Sequence, residues 1–151
     1  MDPTTPHRLH HLLMDLVQAG GLLHADQAVP GQQVSLSQAF ALHELDVDGP
    51  LSQGELAQRL RLEKSSASRM AADLERKGWL VRERDPANRR LYRLRLTDAG
   101  RAMHARIGAE FHQSYVRWVA ALTPDECDAL LVGLSALVRA MRADRPLGAR
   151  A

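Results

Sequence analysis

The feature that most constrains this fold is a basic turn between two short runs that have the character of β-strands. The turn extends from Arg84 to Arg90 and contains Pro86 and Asn88, two residue types that suit a chain reversal. In the run that follows, tyrosine and leucine alternate with arginine, which is typical of a strand with one buried face. We therefore predict a two-stranded hairpin over Trp79–Arg84 and Leu91–Leu96.

Two short helices are predicted just before this hairpin. Ser52 and Glu55 have the spacing of a capping box, which starts a helix that continues to Leu60. The next helix extends from Lys64 to about Lys77, where Gly78 provides the usual stop signal. Helix, turn, helix and hairpin in this order predict a winged helix-turn-helix.

Longer amphipathic helices are predicted on both sides of this region, one from about Arg8 to Gln27 before it and one from Thr97 to about Leu122 after it. A last helix is predicted to begin at the capping signal Thr123-Pro124-Asp125-Glu126. The fold class is therefore mainly α with a small two-stranded β-wing. The winged helix-turn-helix covers about 35–96, and the flanking helices cover about 8–30 and 97–144. Because these apolar stripes must be covered, we expect a symmetric dimer in which the flanking helices pair.

Positive charge is concentrated in the middle of the chain. Residues 50–101 hold thirteen Lys and Arg against seven Asp and Glu, a net charge of +6, whereas the whole chain carries only +2. Concentrated charge of this kind indicates a surface that binds a polyanion. A general preference for arginine, which supplies 18 of the 20 basic residues, offers a simpler explanation.

The helix predicted from Lys64 to about Lys77 begins with small polar side chains that suit close approach to a DNA groove. Arg69 has the reach for a bidentate contact to guanine, and Arg89 and Arg90 at the hairpin tip suit phosphates or a narrow minor groove. The simpler alternative is a solvated helix face and an exposed turn, with Ser65 acting only as a cap. We favour DNA contact, and the predicted DNA-binding residues are Ser65, Ser66, Ser68, Arg69, Arg89 and Arg90.

Taken in order, five segments resemble the MarR family of bacterial transcription regulators. They are Leu51 to Ala57, Ser65 to Arg69, Leu74 to Leu80, Arg84 to Arg90, and Leu96 to Arg101. The resemblance implies a single MarR-type domain over 1–151 and a triangular homodimer that presents two recognition helices to a palindromic operator. It also implies a regulator, in most cases a repressor, that releases DNA when a phenolic or other lipophilic acid binds.

One departure from the family concerns the wing. The family usually has a second acid where this chain has Asn88. Asn tolerates turn conformations, so the hairpin is expected to survive. Asp85 remains, and it is predicted to form a wing salt bridge with Arg89 or Arg90.

The effector, metal and redox chemistry are less well defined by the residues. Because the family pocket borders the first helix, Arg8 and His11 are candidates for meeting an anionic effector, although a polar helix end is the simpler explanation for both and the one we favour. No compact metal-ligand set is visible, and Cys127 fits a buried or interface cysteine better than a redox sensor. Alternatives are a metal- or redox-responsive regulator, an architectural DNA binder, and a winged-helix protein-interaction module.

Other functions are excluded or made less probable by composition and spacing. One cysteine forms no internal disulfide, and the polar N-terminus does not resemble a signal peptide, so we expect a cytoplasmic protein. No apolar run approaches the roughly 20 residues of a membrane span. No nucleophile elbow, phosphate loop or catalytic triad spacing is present, so we expect no enzymatic activity and no cofactor.

Overall fold

The computed structural model describes residues 3–21 and 33–144, which form two compact units that divide after Gly108. The described residues contain six helices and a small sheet. The helices are α1 (Thr5–Ala19), α2 (Leu36–Val47), α3 (Gln53–Leu60), α4 (Lys64–Arg76), α5 (Asp98–Ala120) and α6 (Pro124–Ala143). The strands are β1 (Leu51–Ser52), β2 (Leu80–Arg84) and β3 (Tyr92–Leu96).

Capping boxes fix where three of the helices begin. In α3, Ser52 Oγ accepts from the Glu55 N–H at 3.1 Å, and the Glu55 carboxylate accepts from the Ser52 N–H at 2.7 Å. The same reciprocal pair forms at Thr123 before α6 and at Ser35 before α2. Each cap satisfies backbone donors that the first turn of a helix leaves unpaired.

The sheet has three antiparallel strands in the order β1-β3-β2, so the prediction of a two-stranded wing was one strand short. The hairpin itself is confirmed, with Leu80 opposite Leu96 and Arg84 opposite Tyr92. The additional strand pairs Leu51 with Leu94. A strand of only two residues has no periodicity of its own, and it forms here because β3 offers a free edge.

The core lies in the winged helix-turn-helix and is built almost entirely from aliphatic side chains. It combines α2, α3, α4, the sheet and the first part of α5. Its largest fully buried side chains are Leu42, Leu56, Leu74, Leu80, Leu94, Leu96 and Val34. This packing holds the recognition-type helix α4 and the hairpin on one compact body.

The first helix is shorter than predicted. It ends at Ala19 rather than Gln27, because Gly21 adopts a φ of +67°, which a right-handed helix cannot continue. The rest of the predicted extension, and the turn expected at Pro30-Gly31, lie outside the described residues. Across the ranges 3–21 and 33–144, no helix combines the length and hydropathy required to cross a bilayer.

Large apolar side chains are exposed on α1, on the second half of α5 and on α6. No residue of α1 or α6 is buried within the chain. The exposed side chains include Leu12, Leu16, Tyr115, Trp118, Leu131 and Met141. The prediction that the helices flanking the winged region carry uncovered stripes therefore agrees with the structure, whereas the single domain over 1–151 stays a prediction.

Candidate nucleic-acid interface

The predicted recognition residues lie in the first two turns of α4. Ser65 and Arg69 are exposed, while Ser66 and Ser68 are half-buried beside the core residue Ala67. The N-cap of α4 is Glu63, and no side-chain hydrogen bond caps the helix. Ser65 therefore does not act as a cap in this structure, which leaves its hydroxyl available for an external partner.

The wing salt bridge forms with a different arginine from those predicted. The Asp85 carboxylate pairs with Nε of Arg93 on β3, rather than with Arg89 or Arg90. Asp85 also accepts the backbone N–H of Ala87 at 2.7 Å and that of Asn88 at 3.1 Å. Antiparallel pairing explains the change, because it places Glu83 opposite Arg93 and so brings β3 alongside the base of the hairpin loop.

Three donors therefore converge on one carboxylate that is only 6% exposed. The Arg93 guanidinium, followed by the N–H groups of Ala87 and Asn88, holds the pKa of Asp85 below its ordinary value. Arg93 Nη1 also donates to the Pro50 carbonyl at 3.1 Å. Asp85 and Arg93 thus join the hairpin loop to the segment that leads into β1.

Asn88 performs a structural task that does not require a charge. Its Oδ1 accepts the backbone N–H of Arg90 at 3.1 Å, and its own carbonyl accepts the N–H of Leu91 at 2.9 Å. The side-chain bond holds the backbone in the reversal, as Asn commonly does in turns. The hairpin therefore closes with an amide at the position where the family usually has an acid.

Most arginines of the sheet are neutralised locally. Arg82 pairs with Glu75 at 3.1 Å, and Arg95 pairs with Glu83 at 2.5 Å. Arg93 is occupied by Asp85. The paired acids reduce the contribution of these three side chains to the positive field of the middle of the chain.

Within the described ranges, the guanidinium groups of Arg69, Arg89 and Arg90 form no ion pair and no hydrogen bond; Arg89 and Arg90 are bonded through their backbone alone. All three side chains are exposed. Arg84 donates to the Arg89 carbonyl at 2.5 Å and lies over the ring of Tyr92, 4.9 Å from its centroid, which steadies the loop. Exposed guanidinium groups without an acidic partner thus stand at the start of α4 and at the hairpin tip, although no direct contact joins the two groups.

Comparison with known proteins gives the family. The MarR family model matches residues 32–91, which include α2, α3, α4 and most of the wing. This segment of the chain belongs to the MarR family. The winged helix-turn-helix predicted from the sequence is therefore confirmed.

A curated relative and two solved structures show how far this MarR-family likeness extends. The transcriptional repressor MdtR of Bacillus subtilis is 30% identical over 100 residues, which cover 66% of this chain and 64% of MdtR. The chain thus matches just under two thirds of that relative's length. FabT of Streptococcus pneumoniae, solved in complex with DNA, superposes with a TM-score of 0.74 at 20% identity, covering 92% of this chain and 99% of FabT.

PcaV of Streptomyces coelicolor, solved with its natural ligand, superposes with a TM-score of 0.66 at 25% identity and covers 91% of this chain. That alignment spans 94% of PcaV. The effector candidates Arg8 and His11 lie on α1 with exposed side chains. Their spacing of three residues places them on one helical face, and the His11 ring stands edge-on to His10 at 5.6 Å between centroids. Their role stays a prediction.

Two histidines that are distant in the sequence come together in the fold. His43 Nδ1 lies 3.2 Å from His104 Nε2, and His104 Nδ1 lies 2.8 Å from the Asp46 carboxylate. The contact joins α2 to α5 across 61 residues of sequence, so no local motif could reveal it. Within 3–21 and 33–144, no group of three or more His, Cys, Asp or Glu is arranged to hold a metal ion.

Cys127 lies half-buried in the first turn of α6, as its place after Pro124 predicts. No ionisable group of the described chain is hydrogen-bonded to its sulfur. Whether it packs against a partner or reacts stays a prediction.

A further polar network, not recognised in the sequence, ties the end of α4 to the start of α2. Asp73 accepts from Gln38 Nε2 at 2.6 Å, from Lys77 Nζ at 3.0 Å and from Arg76. The Lys77 ammonium is the largest cause, and together the donors lower the pKa of Asp73 to about 2. An S-x-x-Q spacing at Ser35 and Gln38 was the available sequence signal for one end of this network.

This network predicts a specific dependence of stability on acid. Because the pKa of Asp73 is lower in the folded chain than its ordinary value of 3.8, the carboxylate stabilises the fold above pH 3.8 and loses this effect as the pH falls towards 2. We expect Asp73→Asn to reduce the free energy of unfolding at pH 7 by about 1–2 kcal/mol, since the side chain is partly exposed. Urea unfolding at pH 7 and pH 2.5 measures the difference.

At pH 2.5 the difference in the free energy of unfolding between the wild-type chain and Asp73→Asn should be smaller than at pH 7, because the wild-type carboxyl is then becoming protonated. Asp128→Asn is the matched control, since Asp128 is exposed on α6 and has no side-chain partner among residues 3–21 and 33–144. If the destabilisation caused by Asp73→Asn is the same at both pH values, the lowered pKa of Asp73 does not contribute to the stability of the fold.

Proposed function

We propose that this chain is a homodimeric, sequence-specific DNA-binding regulator of transcription that acts as a repressor in the cytoplasm. One observation carries the proposal. Arg69, Arg89 and Arg90 are exposed, have no acidic partner among the described residues, and stand on α4 and on the hairpin loop of one compact unit. A helix that inserts into the major groove, beside a loop that reaches phosphates or the minor groove, is an established way to read DNA.

The polar residues divide naturally by the contact they are suited to make. Ser65, Ser66, Ser68 and Arg69 are placed to meet base edges, because they occupy the N-terminal half of α4. Arg89 and Arg90 are placed for phosphate or narrow-groove contact. The DNA complex of FabT and the name of MdtR as a repressor support this assignment for the present chain.

The dimer is supported by the uncovered apolar side chains of the outer helices. Trp118 is 56% exposed and Leu131 is 59% exposed, which is uncommon for such large apolar groups unless a partner covers them. The occupant we propose is a second copy of the chain. Two copies related by a two-fold axis would present two α4 helices to half-sites about one helical turn apart, roughly 34–36 Å.

An effector is proposed by analogy with PcaV, which was solved with its natural ligand. The class proposed is a phenolic or other lipophilic acid, with Arg8 and His11 as the candidate groups for its carboxylate. Such a ligand releases DNA only if it binds the DNA-competent and DNA-incompetent arrangements of the dimer with different affinities.

The proposal is tested by selecting duplexes from a random DNA pool with the full chain and measuring binding to the selected duplex and to a shuffled one. We expect a selected sequence with two-fold symmetry and at least roughly 10³-fold preference over the shuffled duplex. Sedimentation should give a dimer at the same protein concentration. Equal affinity for both duplexes would reject sequence-specific regulation, and a stable monomer bound to DNA would reject the dimer.

A further inference from the structure

Gln38 connects the beginning of α2 to the end of the recognition helix. Its Oε1 accepts the Ser35 N–H at 3.2 Å and so completes the capping box of α2. Its Nε2 donates to Asp73 in the last turn of α4 at 2.6 Å. The side chain is only 8% exposed, so both bonds are shielded from competition by water.

Lys77 closes this connection from the other side. Its ammonium donates to Asp73 at 3.0 Å, to Gln38 Oε1 at 3.1 Å and to the Gln33 carbonyl at 2.8 Å. One amine thus contacts the backbone before α2, a side chain of α2 and a side chain of α4. Every polar group of the network has a partner, which is the condition under which a buried network specifies one geometry.

The apolar face of α4 is poorly suited to specify that geometry alone. Its buried residues are Ala67, Met70, Ala71 and Leu74, so two of the four are alanines with little side chain to interlock. Apolar burial is also non-directional and tolerates small rotations or shifts of a helix. Hydrogen bonds are directional, and a 2.6 Å amide–carboxylate bond resists such movement.

We propose that Gln38 and Asp73 are positioning residues that set the orientation of α4 and thereby the discrimination between DNA sequences. This inference rests on the proposed function. Asp73 lies four residues after Arg69, about 6 Å along the helix axis, so a shift at Asp73 tilts the side chains that would meet base edges. Direct contacts to bases require an accurate helix orientation, whereas phosphate contacts through flexible arginines do not.

The bond can be broken and then rebuilt with its polarity reversed. In Gln38→Glu, two carboxylates face each other and the donor to Asp73 is lost. In the double variant Gln38→Glu with Asp73→Asn, the new amide donates to the new carboxylate, Lys77 keeps a carboxylate partner, and the net charge equals that of the wild-type chain. Gln113→Glu, on an exposed position of α5, is the control for the added negative charge.

Binding of each variant is measured to a duplex that the wild-type chain has selected from a random pool and to a shuffled duplex, at a temperature well below the unfolding midpoint. We expect Gln38→Glu to lower affinity for the selected duplex about tenfold while binding to the shuffled duplex changes less than twofold. The affinity of the double variant for the selected duplex should return to within about twofold of the wild-type value. Gln113→Glu should bind both duplexes with the affinities of the wild-type chain.

A purely structural role gives a different pattern, in which Gln38→Glu unfolds at lower urea concentration but keeps the wild-type ratio of selected to shuffled binding. That pattern would overturn the inference and leave the proposed function intact. Failure of the double variant to recover the ratio would overturn it as well. If the wild-type chain itself shows no preference, the proposed function fails, and the inference fails with it.

Discussion

Gly100→Ala is expected to lower the free energy of unfolding by about 3 kcal/mol, which is a large fraction of the roughly 5–15 kcal/mol that stabilises an ordinary domain. A Cβ atom at this position would lie 2.0 Å from the Trp79 carbonyl oxygen and 2.9 Å from its carbonyl carbon. Both atoms belong to the backbone, so no side-chain rotation relieves the clash. Thermal and urea unfolding measure the loss.

The backbone at this point cannot move away cheaply. The Trp79 carbonyl accepts the Thr97 N–H at 3.0 Å, and the Thr97 hydroxyl donates to the Gly78 carbonyl at 2.6 Å. The same hydroxyl accepts the Gly100 N–H at 3.0 Å, which caps the start of α5. Separating α5 from β2 would therefore sacrifice several hydrogen bonds together.

Gly108→Ala, on the same helix, is the matched control. A Cβ atom there meets no atom within 4 Å. Because glycine is a poor helix former, this variant should be as stable as the wild-type chain or up to about 1 kcal/mol more stable. Equal stability of the Gly100 and Gly108 variants would show that α5 does not pack against Trp79 as described.

Local signals in the sequence were sufficient for the elements whose ends are set by neighbouring residues. The bounds of α3 follow from the Ser52–Glu55 capping box, and the start of α6 follows from Thr123 and Pro124. The hairpin follows from strand alternation around a loop with Pro86 and Asn88. In each case the physical cause lies within a few residues of its effect, so the sequence could reveal it.

Features that depend on tertiary contacts could not be predicted in this way. β1 exists only because Leu51 meets Leu94, and the true partner of Asp85 is decided by the register between β2 and β3. The contact of Gln38 with Asp73 spans 35 residues of sequence. Composition within a window contains no information about such pairs.

The ion pair between Asp85 and Arg93 also determines which arginines of the wing are available to bind DNA. Arg93 is committed to Asp85, so Arg89 and Arg90 keep their full charge for an external partner. The neutralised arginines of the sheet and the uncompensated arginines of the loop together concentrate the positive potential at the hairpin tip. A field concentrated in this way favours contact with phosphates at that point over diffuse attraction.

We therefore expect the double variant Arg89→Ala with Arg90→Ala to weaken binding to the selected duplex roughly 10- to 100-fold at physiological salt. The plot of log affinity against log salt should lose up to about two units of slope, because each phosphate contact releases close to one counterion. The hairpin should keep its shape, since Arg84 and Asn88 bond to the backbone of these residues and alanine retains that backbone.

Arg139→Ala with Arg142→Ala is the matched control, because it removes the same charge from exposed positions of α6. General loss of positive charge would weaken binding equally in both double variants. Contact at the wing predicts instead that only the Arg89 and Arg90 variant loses salt dependence, while both variants sediment and unfold like the wild-type chain. An unchanged slope for the Arg89 and Arg90 variant would remove the wing from the DNA interface and leave α4 as its sole candidate.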